Sequence, residues 1–309
     1  MIKKEQKGGV TIYYFRKKIE DDKMDSIVNT KLKPSQIDFI IDHDADVYTE
    51  DGALLLKFRK GKLPVSHVDA FYENVIKFAK NKTNNRGNAT GSKKLNIWEN
   101  PKIMTNIFGF FDKWSPRQKY VFTKNNVSKP LEVRECRFNM DYPEEYKKAI
   151  PLIKDIDRFY KKYVPSYYAK QHKKAVQTHF RIPQTSFTTV TTNVNYQTTV
   201  HKDKGDDQDG FGNLTVIEKG QYKGGETCFP QYGIGVDVRT NDILFMDVHQ
   251  WHANLPIELE SDDAVRLSVV CYLRINVWEK TKNKTKRFFI KHNKTLKKMR
   301  NIDGDKNKE

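Results

Sequence analysis

The chain has 309 residues, of which 37% are hydrophobic and 31% are charged. These proportions are typical of a soluble globular protein with one large domain or two modest ones, and they exclude a disordered chain. No segment approaches the roughly 20 apolar residues that cross a bilayer, and no apolar core follows the charged N-terminus, so we expect neither a membrane partner nor an export signal.

The net charge and the cysteines indicate the kind of partner and the cellular compartment. The chain carries 56 Lys and Arg against 39 Asp and Glu, a net charge of +17. Such a surface attracts polyanions, nucleic acid first among them, although a lysine-rich organism or virus would give the same excess. The three cysteines, Cys136, Cys228 and Cys271, are widely spaced, which predicts buried, reduced thiols in an intracellular, reducing compartment.

The N-terminal half is predicted to mix strands and helices. Residues 11–15 are strand-prone, and residues 46–58 alternate around an Asp-Gly pair, which favours a hairpin. Residues 68–79 have the apolar spacing of an amphipathic helix. Residues 143–168 form the longest predicted helix, which we expect Pro151 to kink or restart.

After residue 183 the pattern changes to short strand-prone runs separated by Gly, Asn and Asp. These runs are residues 186–195, 198–201, 214–218, 226–229, 234–238, 242–246 and 265–275. Short strands without intervening helices are typical of a β-sandwich or barrel. We therefore predict an α+β protein with an N-terminal α/β support region (residues 1–140), a β-rich core with flanking helices (residues 141–285) and an exposed, basic C-terminal tail (residues 286–309).

His201 and Asp203 directly follow one of these runs. Alternate residues of a strand face the same side, so the two side chains can point together while Lys202 points away. Two ligands from one strand and a distant His form a facial triad, which leaves three metal positions open. This donor set is typical of non-haem Fe(II) oxygenases.

Two histidines compete for the third ligand position. His252 is followed four positions later by Pro256-Ile257, which resembles the His-x-x-x-Pro-Val segment around the distal ligand of prolyl-hydroxylase-like enzymes. We therefore favour His252, and His249 would then support a ligand or face the substrate. His249 as the ligand stays open as the alternative.

Arg266 lies inside an otherwise apolar, alternating strand. A buried guanidinium needs an anion, and it grips a carboxylate with two parallel hydrogen bonds. Ser268 shares its face and can donate to the same carboxylate, whereas an internal Asp or Glu partner is the alternative. With Fe(II), 2-oxoglutarate and O2, these residues would support oxidative decarboxylation to succinate and hydroxylation of a C–H bond.

A set of motifs surrounds these residues between about residues 185 and 274. It comprises residues 188–195, 201–206, 212–214, 220–225, 229–230, 237–239, 242, 252–254 and 266–268. In combination these motifs resemble the TET/JBP family of nucleic-acid base oxygenases, and above all its JBP-like branch with viral and protist members. No DNA-recognition domain of the trypanosome type and no cysteine-rich region of the animal TET type is recognisable, so we expect basic patches to direct targeting.

The resemblance implies a double-stranded β-helix (jelly-roll, cupin-like) core, with iron held by His201, Asp203 and His252 and the co-substrate held by Arg266. It also implies hydroxylation of a pyrimidine methyl group in DNA, thymine to 5-hydroxymethyluracil first and 5-methylcytosine next. RNA is the alternative polymer. We expect a monomer that acts in the nucleus, the cytoplasm or a virus-infected cell.

A base oxidase must flip its target out of the duplex or act on single strands, so it needs phosphate clamps and a stacking residue. The residues that we expect to meet the substrate are Asn193, Asn195, Lys204, His249 and Trp251. Trp251 as plain core and the lysines as solubilising groups are the alternatives. A protein hydroxylase of the same mechanism and an inert nucleic-acid-binding protein are the competing functions.

Overall fold

The computed structural model describes residues 1–84, 90, 99–113 and 133–305, with side chains described up to residue 297. The helices are α1 (Val65–Ala79), α2 (Arg137–Asp141), α3 (Pro143–Tyr163), α4 (Pro165–Ala175), α5 (Ile275–Thr281) and α6 (Lys286–Asp305), with short 3-10 turns at Asp21–Ser26, Pro34–Gln36 and Pro230–Tyr232. Within the described segments, no helix combines the length and the apolarity needed to cross a membrane.

Sixteen strands are present in the described residues. They are β1 (Lys3–Lys7), β2 (Val10–Phe15), β3 (Phe39–Ile41), β4 (Ala45–Thr49), β5 (Leu54–Arg59), β6 (Thr105–Phe111), β7 (Arg134–Glu135), β8 (Thr189–Val194), β9 (Gly212–Lys219), β10 (Tyr222–Gly224), β11 (Thr227–Phe229), β12 (Ile234–Val236), β13 (Ile243–Met246), β14 (Ala253–Asn254), β15 (Ile257–Leu259) and β16 (Val265–Tyr272). Ten of them form a large sheet in the order β1-β2-β4-β5-β13-β9-β16-β8-β6-β7. Four form a small sheet, β14-β11-β12-β3, and β10 pairs with β15.

The two main sheets face each other across an apolar core. Leu214 and Leu244 of the large sheet and Phe229 and Val236 of the small sheet belong to this one buried cluster. From β8 to β16 the chain passes back and forth between the sheets, which is the arrangement of a jelly roll. The predicted double-stranded β-helix core is confirmed.

The outer face of the large sheet is covered by helices α1 and α3. Phe71 of α1 and Ile153 and Tyr160 of α3 pack with Phe108 and Val269 of the sheet in a second core. The apolar stripe of each helix, repeated at three and four residues, is what this sheet face buries. The fold therefore has three layers: helices, large sheet and small sheet.

The hairpin predicted at residues 46–58 is confirmed, whereas the prediction for the long helix at residues 143–168 is confirmed only in part. The β4–β5 hairpin turns at Gly52, whose φ of 82° suits glycine. The predicted restart at Pro151 was wrong, because α3 runs through Pro151 and ends at Tyr163, whereas a kink there stays a prediction. The chain breaks instead at Val164, where the following Pro165 disfavours helical backbone.

Three further features differ from or refine the predictions. Residues 198–201 do not form a strand, and only His201 among them makes an isolated bridge, to His252. Strands β1, β2, β4 and β5 extend the large sheet, so the sheet crosses the predicted boundary at residue 140, and the domain limits stay a prediction. Helix α6 is docked along one side rather than fully exposed. The three cysteines are buried thiols outside any disulfide, as predicted.

Candidate metal centre and co-substrate pocket

His201, Asp203 and His252 lie close together in space, and His252 directly precedes β14. One potential ligand atom from each lies within 4.8 Å of the others. Nε2 of His201 is 3.6 Å from Oδ1 of Asp203, and Nε2 of His252 is 3.9 Å from Oδ2. His252 is buried, whereas His201 and Asp203 are partly exposed, so the group opens to solvent on one side.

Backbone hydrogen bonds bring these three residues together. His201 and His252 exchange N–H···O=C bonds of 3.0 Å in both directions, which makes them directly opposed residues of an antiparallel bridge. The amide of Asp203 donates to the carbonyl of Val248 at 3.0 Å. The His-x-Asp segment is thereby paired with the segment that carries His252.

The donor set fits a ferrous ion. Nδ1 of His201 lies 2.7 Å from the carbonyl oxygen of Thr199, and Nδ1 of His252 lies 2.9 Å from that of Gln250. Because a carbonyl oxygen only accepts, each Nδ1 carries the proton and each Nε2 presents a free lone pair. Burial and the neighbouring His201 lower the pKa of His252, which favours the neutral ring that a metal needs.

The second candidate histidine, His249, lies outside this group. Its ring nitrogens are each 3.3 Å from a backbone carbonyl oxygen, Nδ1 from that of Asp203 and Nε2 from that of Asp207. Its own amide donates to the Asp247 carboxylate at 3.0 Å. His249 therefore braces the loop that carries Asp203.

Arg266 and Ser268 lie side by side on one face of β16 and are both buried. One guanidinium nitrogen, Nη2, donates to the carbonyl of Gly225 at 2.6 Å. A Cβ at Gly225 would lie 2.6 Å from Nε of Arg266, so glycine is needed for this close approach. In the described part of the chain no Asp or Glu forms an ion pair with Arg266. Burial lowers the pKa of this guanidinium, which still carries its charge at neutral pH.

Comparison with known proteins agrees with this geometry. The sequence model of the Tet_JBP family, described as the oxygenase domain of the 2OGFeDO superfamily, matches residues 119–275, about half of the chain. The chain belongs to this family. Members of the superfamily use Fe(II) and 2-oxoglutarate, which the His-Asp-His group and the buried arginine of this Tet_JBP domain suit.

Two kinds of relative are similar to this Tet_JBP chain. Thymine dioxygenase JBP1 of Trypanosoma brucei brucei is 32% identical over 151 residues, 48% of this chain and 18% of that protein. Thymine dioxygenase JBP1-A of Trypanosoma cruzi is 31% identical over 179 residues, 57% and 21% of the two chains. The chain thus spans about a fifth of the length of these relatives. The solved structure of NgTET1 in complex with 5mC DNA superposes with a TM-score of 0.52 at 15% identity, over 78% of this chain and 80% of that one, and so shares the fold.

The two asparagines that were expected to line the substrate pocket have different surroundings. Asn193 pairs with Ser268 across β8 and β16, and its Nδ2 donates to the Ser268 hydroxyl at 3.0 Å. Asn195 has a φ of 48°, and its amide holds β16 by its backbone. Its Oδ1 accepts from the Arg266 amide at 2.6 Å, and its Nδ2 donates to Ala264 at 2.9 Å. Asn193 therefore lies beside Ser268 of the candidate co-substrate pocket, and Asn195 orders the strand that carries Arg266.

The remaining predicted substrate residues lie next to the candidate metal ligands in the chain. Lys204 is exposed directly after Asp203. Trp251 is half-buried, packs against a small apolar cluster that includes Val200, and lies under Lys202, whose Nζ is 4.9 Å from the ring centroid. One ring face of Trp251 is thus covered by Lys202, and stacking of Trp251 on a substrate base stays a prediction.

One arrangement was missed by the sequence reasoning. Arg274 donates from Nε to the buried carboxylate of Asp112 at 2.9 Å. Its guanidinium packs against Gly205 in the metal loop, the loop at residues 203–206 that carries the candidate ligand Asp203. Ile275 donates to the carbonyl of Gly205 at 3.0 Å. The only signal in the sequence was the glycine two residues after Asp203, which alone does not reveal its partner.

Proposed function

We propose that this chain is an Fe(II)- and 2-oxoglutarate-dependent dioxygenase that hydroxylates the methyl group of a pyrimidine base in DNA. Thymine is the favoured base, with 5-hydroxymethyluracil as product, and 5-methylcytosine is the next. The observation that carries the proposal is the convergence of His201, Asp203 and His252 with their free ligand atoms turned toward one another. Thymine is favoured because the relatives that match about half of the chain are named thymine dioxygenases.

The residues of the site would have two roles, iron binding and control of the histidine tautomers. His201, Asp203 and His252 would hold the iron, and the carbonyls of Thr199 and Gln250 keep both imidazoles in the ligating tautomer. Iron with 2-oxoglutarate and O2 supplies the oxidising power for a C–H bond, with succinate and carbon dioxide as the other products. The chain itself contributes position and electrostatics.

Arg266 and Ser268 would bind the distal carboxylate of 2-oxoglutarate. A buried, charged guanidinium without a carboxylate partner in the described residues is costly, and an incoming carboxylate offsets that cost. The Ser268 hydroxyl already accepts from Asn193, so its own proton is available for the carboxylate.

The DNA partner is supported by charge and by kinship. The net charge of +17 suits a polyanion, and Lys202 and Lys204 lie next to Asp203 in the chain, with Lys204 exposed. A target base would have to leave the duplex to reach the metal. We propose a monomer that acts on DNA in the nucleus, the cytoplasm or an infected cell.

The decisive experiment is a nucleoside analysis. Protein is incubated in air with Fe(II), ascorbate, 2-oxoglutarate and DNA that contains thymine and 5-methylcytosine, and digested nucleosides are compared by mass spectrometry with a reaction without 2-oxoglutarate. A 2-oxoglutarate-dependent hydroxymethyl pyrimidine supports the proposal and names the base. Asp203→Ala should abolish the product, whereas the exposed control Asp25→Ala should retain it.

Two results would replace the proposal. Succinate release without any new nucleoside would move the substrate to RNA or protein, as in the hydroxylase alternative. Neither succinate nor a new nucleoside, from folded and iron-loaded protein, would favour an inert nucleic-acid-binding protein.

A further inference from the structure

Helix α6 has two chemically different faces along its described length. The apolar face is packed against the body of the protein. The ring of Phe289 lies 4.9 Å from that of Phe180, and Nε2 of His292 donates to the carbonyl of Val133 at 2.8 Å. Leu296, one turn further on, is also buried. The helix is therefore held in place rather than free.

The opposite face of α6 is cationic. It carries Lys286, Arg287, Lys291, Lys294 and Lys297, all of them exposed. At 3.6 residues per turn these five side chains fall within about 140° of arc, and they span about 16 Å along the axis. The docked apolar face points the other way, so the cations form one continuous strip.

These cations lack acidic neighbours. Between Glu279 and Asp303 the sequence has ten Lys and Arg and no Asp or Glu. None of the five exposed cations forms an ion pair with any residue that the structure describes, whereas Lys147 on α3 pairs with Glu144 at 2.7 Å. A solvated surface helix usually alternates its charges, and this one does not.

We propose that the exposed face of α6 binds the phosphate backbone of duplex DNA. The strip has a single sign of charge, and duplex DNA presents about one phosphate charge per 1.7 Å of its axis. An anionic membrane is the poorer fit, because a helix that lies in a lipid interface needs a free apolar face and that of α6 is occupied. This inference rests on the proposed function, since it takes DNA as the substrate.

The helix is also linked to the metal loop. Helix α5 connects Arg274 to α6, and its first residue, Ile275, donates to the carbonyl of Gly205 at 3.0 Å. Gly205 lies two residues after Asp203. DNA bound along α6 would therefore lie on a helix that is connected, through α5, to the loop of Asp203, a predicted iron ligand.

The test measures salt-dependent DNA binding of the full chain. The variant replaces Lys286, Arg287, Lys291 and Lys294 with Gln, and the control replaces Lys147, Lys148, Lys161 and Lys162 of α3 with Gln, the same change in charge. Dissociation constants for a 30-base-pair duplex are measured by anisotropy over a range of NaCl concentrations. Each phosphate contact contributes about 0.9 to the slope of log K against log salt, so the α6 variant should lose about 3 to 4 from its slope and the control less than about 1.

Further readouts separate the inference from the proposed function. Succinate formation without DNA and the melting temperature should be unchanged in the α6 variant, because its four residues touch neither the pocket nor the core. Equal slopes for the variant and the wild type would overturn the inference whether or not bases are oxidised. Tighter binding of phosphatidylserine vesicles or duplex RNA than of duplex DNA would also overturn it. Wild-type protein that oxidises no base yet binds DNA with an α6-dependent slope would support the inference and refute the proposed function.

Discussion

The guanidinium of Arg274 occupies the space that a side chain at Gly205 would fill. A Cβ on Gly205 would overlap Nη1 of Arg274, which cannot move freely because its Nε is bonded to the buried Asp112. Gly205 belongs to the loop that follows Asp203, and Arg274 lies two residues after the end of β16. This contact therefore joins the metal loop to the large sheet.

Gly205→Ala should lower both the stability of the protein and its affinity for iron. The added methyl must displace Arg274 from Asp112 or push the loop that carries Asp203, and such overpacking typically costs about 1–3 kcal/mol. We expect a lower unfolding free energy in urea and weaker iron binding. Iron affinity can be measured anaerobically, together with 2-oxoglutarate turnover.

The double variant Gly205→Ala/Arg274→Ala distinguishes the cause. If the overlap is responsible, removal of the arginine side chain should restore part of the iron affinity relative to Arg274→Ala alone. No interaction between the two substitutions would show that the close packing is unimportant for the loop.

Asp112→Asn should lower stability in a pH-dependent way. Burial raises the pKa of Asp112, but hydrogen bonds from Arg274 and Asn276 outweigh it and hold the pKa below its usual value. A lowered folded-state pKa stabilises the protein fully above about pH 4, and this contribution is lost as the pH falls through the folded-state value. Urea unfolding should show a deficit of about 1–3 kcal/mol at pH 7 that narrows near pH 3. A deficit that is constant with pH would contradict the ion-pair account.

His252→Ala and His249→Ala should differ in kind. His252 offers a free Nε2 to the metal group, so its loss should reduce iron affinity by more than about 100-fold and abolish turnover. A neutral His249 ring can donate to only one of the two loop carbonyls, that of Asp203 or that of Asp207, and its loss should reduce iron affinity by about 10- to 100-fold at most. Iron stoichiometry under anaerobic conditions measures both. Equal loss in the two variants would return His249 to consideration as a ligand.

Arg266→Met should abolish 2-oxoglutarate binding without destabilising the fold. Removal of a buried charge that lacks a carboxylate partner in the described residues is neutral or stabilising, within about 1–4 kcal/mol. Iron binding should persist, and the KM for 2-oxoglutarate should rise beyond measurement. Titration calorimetry with 2-oxoglutarate and a metal substitute follows the binding, and thermal melting follows the fold.

Arg59→Met provides the contrast for Arg266. Arg59 is equally buried, but it pairs with Asp46 at 2.7 Å. Its loss leaves a buried carboxylate with fewer partners, so we expect a drop of about 3–5 kcal/mol with normal 2-oxoglutarate binding once folded. Destabilisation by Arg266→Met as large as by Arg59→Met would mean that Arg266 serves the fold rather than a ligand.

Much of the candidate site could be predicted from the sequence because its signals are local. His201 and Asp203 are two residues apart in an extended segment, and Arg266 and Ser268 are two residues apart in a strand, so the period of two places each pair on one face. The hairpin, helix α1 and the short strands of the core follow from similar short-range rules. These rules use only residues that lie within a few positions of one another.

Only the tertiary structure decided between neighbours and joined distant segments. His249 and His252 lie in one short segment, and the bridge from His252 to His201 decides which of them faces Asp203. Arg274 meets Asp112 across 162 residues, and β6 pairs with β8 in the large sheet. From the sequence, helix α6 is predicted to be an exposed basic tail, but in the structure Phe180 and Val133 cover its apolar side. Such pairings depend on the packing of surfaces that are remote in sequence, and local periodicity carries no information about which surfaces meet.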